Sequence, residues 1–142
     1  MTSLLRTSQA LTYAAAEIIV QACMKKATEI GVPQCIAVVD GGGNLLAFAR
    51  MDGAKFLSQF SAIQKAVTAA SIRNATGGSP QDFGVNLALA TGGQVTNLKG
   101  GLPILRDGQL IGAVGIGSGT GEQDVEVATA GIEALEKALQ AG

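Results

Sequence analysis

The sequence predicts a single α+β domain in which long helices pack on a central antiparallel sheet. Two hairpin patterns point there first, one turning at Gly41-Gly42-Gly43-Asn44 and one at Asp107-Gly108, because short turns of this chemistry join antiparallel strands. Segments of helical apolar periodicity precede, separate and follow the two hairpins. The resulting order of helix, hairpin, helix, loop, hairpin, helix is not the strand–helix alternation of a doubly wound parallel sheet. With 142 residues, 47% of them hydrophobic, residues 1–142 are expected to form one domain around one core.

In chain order, Ser8 is expected to cap a first helix that runs to about Ile30 and ends at Gly31 and Pro33. Ala16, Ile19, Val20, Cys23, Ala27 and Ile30 give it a broad apolar side, and Glu17, Gln21 and Lys25 give it a polar stripe. The run Cys35 to Asp40 is a buried strand. Glycine and asparagine at 41–44 tolerate the positive φ of a turn, and Leu45 to Arg50 is the return strand. A second helix is expected over about Leu57 to Asn74, with Phe60, Ile63, Val67 and Ala70 as its apolar seam. Ser61, Gln64, Thr68 and Ser71 on its other side are small or polar enough to let another backbone approach.

The stretch Gln81 to Lys99, broken by Gly84 and Gly92-Gly93, reads as a loop region. It holds a short helix near Pro80 to Phe83 and a second near Val85 to Ala90. Pro103 to Arg106 and Gln109 to Ile116 form the second hairpin, with close backbone packing at Gly112 and Gly115. Thr120 and Gln123 make a capping-box pattern for a last helix over about Glu122 to Leu139. Val125, Ala128, Ile132, Leu135 and Leu139 line its apolar stripe, while Glu122, Asp124 and Glu126 suit its N-terminal dipole.

Composition removes several functions. The chain has no histidine, so there is no Ser-His or Cys-His dyad and no histidine ligand for zinc or haem. Proton transfer falls to Asp, Glu, Lys, Tyr13 or a cysteine. The net charge is −1, aromatic residues make up 4%, and Lys25-Lys26 is the one adjacent basic pair, a poor set for nucleic acid. No apolar run is long enough to span a bilayer, and residues 1–9 lack the pattern of a secretory signal, so a cytoplasmic protein is expected. Only 15% of residues are charged, which leaves apolar surface for burial between subunits and predicts a homo-oligomer. Cys23 and Cys35 have neither redox nor zinc spacing and read as small buried hydrophobes.

Four stretches carry possible chemistry. The run Gly115-Ile-Gly117-Ser-Gly119-Thr-Gly121 lies between strand and helix, but its spacing puts Thr120 or Glu122 where a dinucleotide fingerprint needs glycine. Its bare NH groups suit a carboxylate or oxyanion instead. Arg50 ends an apolar strand, and Asp52 is its local partner; either the two form an ion pair or Arg50 holds a ligand carboxylate, with Met51 packing in the core or on that ligand. Lys65 is either a solvated lysine or, if buried, an acid–base group. Gly100-Gly101-Leu102-Pro103 makes a bare entry to a strand, either for turn geometry alone or as a ligand-facing wall.

Taken in order, Val39-Asp40 with Gly43-Asn44-Leu45, Arg50-Met51-Asp52-Gly53-Ala54, Lys65-Ala66 with Thr68-Ala69, Gly100 to Ile104, Gly112-Ala-Val-Gly115 and Glu122-Gln123-Asp124 resemble the GlcG/HbpS family over almost the whole chain. That family includes haem-binding proteins and the C-terminal domain of PduO-type proteins. The resemblance implies a profilin-like α/β/α sandwich, with about five antiparallel strands flanked by N-terminal, middle and C-terminal helices. It also implies oligomers with ligand pockets near subunit contacts. It marks Arg50, Asp52, Lys65, Gly100, Gly101, Pro103 and Asp124 as candidate site residues. Haem would have to use Tyr13, Met51, Cys35, a lysine or a hydroxyl on iron, with Arg50 or Lys65 on a propionate.

Two functions follow. The first is binding of a small molecule, haem or another anionic and partly apolar compound, with Arg50, Met51, Gly100, Gly101 and Pro103 on the ligand. The second is cofactor-independent catalysis on a small unsaturated acid. There Arg50 anchors the carboxylate, and Lys65, Asp52 or Asp124 moves the proton. A purely structural subunit is the third reading.

Overall fold

The computed structural model describes residues 2–142. Helix α1 spans Tyr13–Ile30, strands β1 and β2 span Cys35–Asp40 and Leu45–Arg50, and helices α2 and α3 span Ser58–Ile72 and Gln81–Ala90. Strands β3 and β4 span Gly101–Arg106 and Gln109–Gly117, and helix α4 spans Gly121–Ala141. The strands form one antiparallel sheet in the order β2-β1-β4-β3. Helix α2 covers one face, and α1 and α4 pack together over the other, so the expected three-layer arrangement is present.

Strand alternation divides the core in two. Ile36, Val38, Val114 and Ile116 point toward α1 and α4, where they meet Ile19, Cys23, Val127 and Leu135. Cys35, Ala37, Val39 and Ala113 point toward α2 and meet Ala62, Ala66 and Ala69. The second layer is built from small side chains, so α2 lies close on the sheet. Gly115 is the extreme case: a Cβ there would overlap the Ala62 carbonyl and lie 2.5 Å from the Ala66 amide.

That packing corrects part of the seam expected for α2: Ala70 is buried and Ile63 and Val67 pack against this layer, but Phe60 does not. Its buried residues are Ala62, Lys65, Ala66, Thr68, Ala69 and Ala70, so Thr68, expected on the other side, faces inward, and Phe60 is 58% exposed. A ring the size of Phe60 does not fit between a helix backbone and a sheet that meet at Gly115, and it turns outward, while Ile63 and Val67 stay half-buried. The first helix is capped by Thr12, whose Oγ1 accepts the Ala15 amide at 3.1 Å, rather than by Ser8. The two short helices expected at 80–90 are one helix, α3, with Gly84 packed against Asn97. Among the described residues the sheet has the four strands of the two hairpins, with β2 and β3 as its edges, instead of the about five that the resemblance implies. The capping box of α4 is formed: Gln123 N donates to Thr120 Oγ1 at 3.2 Å, and Thr120 N donates to Gln123 Oε1 at 2.9 Å.

Candidate functional site

The capping box fixes where α4 begins, and Asp124 then lies in its first turn facing inward, 2% exposed. Lys65 meets it from α2, 4% exposed. The Lys65 Nζ donates to Asp124 Oδ2 at 2.8 Å and to the Ile116 carbonyl at 2.7 Å. Asp124 Oδ1 accepts the Gly119 amide at 3.0 Å. Burial pushes the Asp124 carboxyl above its ordinary value, and the Lys65 and Gly119 contacts offset that only in part.

Glycines enclose the pair. A Cβ at Gly100, whose φ is 123°, would lie 2.8 Å from Asp124 Cβ and 3.0 Å from Lys65 Nζ. One at Gly101 would overlap the Lys65 carbonyl. The Gly101 amide donates to Thr76 Oγ1 at 2.9 Å, which ties the start of β3 to the segment after α2. Gln34 completes the cluster. It is fully buried, and its amide weakly favours the Asp124 carboxylate while neither of its polar atoms is in direct hydrogen-bond geometry. A Cβ at Gly119 would lie 2.7 Å from Gln34 Nε2 and 2.8 Å from Asp124 Oδ1. Sequence reasoning passed over Gln34; a polar side chain wedged between Pro33 and an apolar strand was the available signal.

The structure therefore brings Lys65, Asp124, Gly100 and Gly101 together, and Lys65 is buried rather than solvated. Arg50 is exposed at the end of edge strand β2, opposite Cys35. Arg50 and Asp52 form no ion pair or hydrogen bond with each other or with the Lys65–Asp124 pair among the described residues. Met51 is half-buried against the α1/α4 side of the core, and Pro103 sits in edge strand β3 opposite Ala113. Cys35 is buried; its thiol is pushed up by burial, with Arg50 pulling the other way.

A second feature lies beside this cluster. Residues Ala54, Lys55, Phe56, Leu57, Ser58 and Ser61 line an open hollow of about 580 Å³ where the chain enters α2. Phe56 and Leu57 are 63% and 66% exposed, and Lys55 has no carboxylate partner among the described residues. The Lys55 amide donates to Ser118 Oγ at 2.9 Å. Ser118 has a φ of 94° and precedes Gly119, so one turn holds both the hollow and the buried pair.

Residues 11–133 match the family model described as haem degrading protein HbpS-like. An uncharacterized 15.0 kDa protein of Citrobacter freundii, from the dhaT-dhaS intergenic region, is 40% identical over 80% of this chain and 84% of its own. Protein GlcG of Escherichia coli is 37% identical over 79% and 84%. The crystal structure of Klebsiella pneumoniae protein ORFY superposes with a TM-score of 0.88 at 34% identity, covering 96% of this chain and 97% of that one. The PduOC complex with haem gives 0.81 at 31% identity, over 88% and 94%. None of the described helices is long and apolar enough to cross a membrane. The ordered motifs, the three-layer fold and these matches agree: the chain belongs to the HbpS-like family.

Proposed function

We propose that this protein binds a flat, anionic, partly apolar small molecule of the haem class at the hollow between Ala54 and Ser61, and does so as a homo-oligomer. The observation that carries this is the hollow itself, with two exposed apolar side chains beside an ammonium that has no carboxylate partner among the described residues. Such a surface desolvates a flat ring and leaves a cation for its carboxylate. The haem complex of a relative at 31% identity supports the class of ligand. The proposal keeps the cytoplasmic location expected from the sequence.

The residues fit the rim of haem better than its iron. Phe56 and Leu57 offer an apolar face, Lys55 a propionate contact, and Ser58 and Ser61 hydroxyls. Cys35 is buried with its thiol protonated, Met51 packs in the core, and Tyr13 lies on α1, so none of the three lines the hollow. Bound haem would supply its iron as a redox or oxygen-binding centre. The protein's own contribution is to hold the ring and its carboxylates. Titration with haemin should give a saturable Soret change with a weak-field spectrum. Phe56→Ser and Lys55→Glu should each weaken binding about tenfold or more. The absence of a saturable change, or wild-type affinity in both variants, overturns the proposal.

The buried pair supports a second reading, acid–base chemistry on a small unsaturated acid. A carboxyl raised by burial beside a lysine is the kind of group that holds or moves a proton. Arg50 remains the proposed carboxylate anchor and Asp52 the alternative acid–base group. The pH–rate profile on a panel of unsaturated carboxylic acids tests this, with Arg50→Ala and Lys65→Ala measured separately. Full activity in both variants overturns the assignment.

A further inference from the structure

Three segments far apart in sequence converge on the other end of α2. Residues Arg6, Thr7 and Ser8 come from the stretch before α1, Arg73 ends α2, and Gly108, Gln109 and Leu110 come from the β3–β4 turn. Together they line a hollow of about 170 Å³. We infer that this hollow is a binding site for a small phosphate-bearing anion, separate from the hollow at Ala54–Ser61 and independent of the reading given to it.

Charge is the first argument. Arg6 and Arg73 line one hollow, and neither has an ion-pair or hydrogen-bond partner among the described residues. Two arginines on the rim of one concavity, with no carboxylate in its lining, make it favourable for an anion. Asp107 sits in the same turn but does not line the hollow. Two planar forks, with the Thr7 and Ser8 hydroxyls and the Gln109 amide able to donate beside them, offer the donors that phosphate oxygens accept.

Backbone is the second. Arg73 is held at φ 55°, the left-handed region, as the residue that terminates α2. Glycine or asparagine takes that position at lower cost. An arginine there complements the helix dipole, but any basic residue in the last turn would do that without left-handed backbone. The left-handed cap also turns the chain away from the helix at the point where the residue 6–8 stretch passes.

Size narrows the ligand. A hollow of about 170 Å³ is smaller than the roughly 300–1,000 Å³ of pockets that engulf a drug-sized molecule. It suits a phosphate group on a short carbon skeleton and not a whole nucleotide.

The test is an amide NMR titration of the full chain with sodium phosphate against sodium chloride at matched ionic strength. Phosphate should shift Gly108 and Gln109 saturably, and chloride should not. Arg6→Gln and Arg73→Gly should each weaken the apparent affinity at least tenfold. Arg73→Gly should keep or raise the melting temperature, so lost binding there cannot be blamed on lost folding. A response that follows ionic strength without saturating, or unchanged affinity in both variants, overturns the inference. Equally tight saturation by malonate overturns the assignment to phosphate.

Discussion

Lys65 and Asp124 form a charge pair taken almost wholly out of water at 2.8 Å. Removing one partner strands the other, which costs on the order of 3–5 kcal/mol, whereas replacing both by apolar residues is often neutral. Lys65→Met is therefore expected to lower unfolding stability by about that amount, and Lys65→Met with Asp124→Leu to recover at least half of it. Urea unfolding of the wild type, both single variants and the double variant measures the coupling. The two charges were visible in the sequence; their pairing was not, because it joins positions 59 residues apart. Cys23 offers a pH test at the same scale. Its thiol is buried on the α1/α4 side and pushed up to about 12 from 9.0. The folded state keeps that proton when the unfolded state has lost it, so the folded state binds more protons between those values. Stability should be flat in this respect below pH 9 and fall as pH rises toward 12, by up to about 1.4 kcal/mol per pH unit. Cys23→Ala should remove this part of the alkaline loss, seen by comparing urea midpoints at about pH 8 and pH 10.5. An identical alkaline decline in the variant would refute the assignment.

Elements were legible where local chemistry decides them. Asp107 and Gly108 both adopt positive φ, as their two-residue turn requires, and the Thr120–Gln123 box is made as its spacing dictates. The α2 seam was legible only in part: Ala70 is buried and Ile63 and Val67 pack on the core, but Phe60 lies outward and most of the burial falls to other alanines, Thr68 and Lys65. Periodicity identifies a helix there but cannot say which stripe meets a sheet thinned by Gly115. The start of α1 failed for a related reason. Ser8 and Thr12 are both acceptable caps by composition, and Leu11, buried against Gly112, sets the register that selects Thr12. Thr12→Ala should cost about 1 kcal/mol of stability. Ser8→Ala, exposed and before the helix, should change the urea midpoint little. The reverse ranking would restore the earlier cap.

At the scale of the molecule, the large apolar residues that the small-residue core leaves over must be accounted for. Phe56, Leu57 and Phe60 lie exposed at the start of α2, and Phe83, Val85 and Leu89 lie exposed on α3. A hollow lined by Gln64, Val85 and Ala88 connects the two helices on their outer side. Sheet edges are poorer docking surfaces here, since β3 carries Pro103 and β2 ends on Arg50. Association through the outer faces of α2 and α3 would cover this apolar area and bring the Phe56–Leu57 hollow near a neighbouring copy. The protein is therefore expected to elute as a multiple of the monomer mass by size exclusion with light scattering. Leu89→Glu and Phe60→Glu should each shift it toward monomer while far-UV dichroism stays unchanged, because both side chains point away from the core. If haemin binding weakens together with the assembly in Phe60→Glu but not in Leu89→Glu, Phe60 acts on the ligand. If both variants weaken it equally, the neighbouring copy completes the hollow. A wild-type protein that is monomeric at micromolar concentration would remove the subunit contact from the account and leave the hollow to work alone.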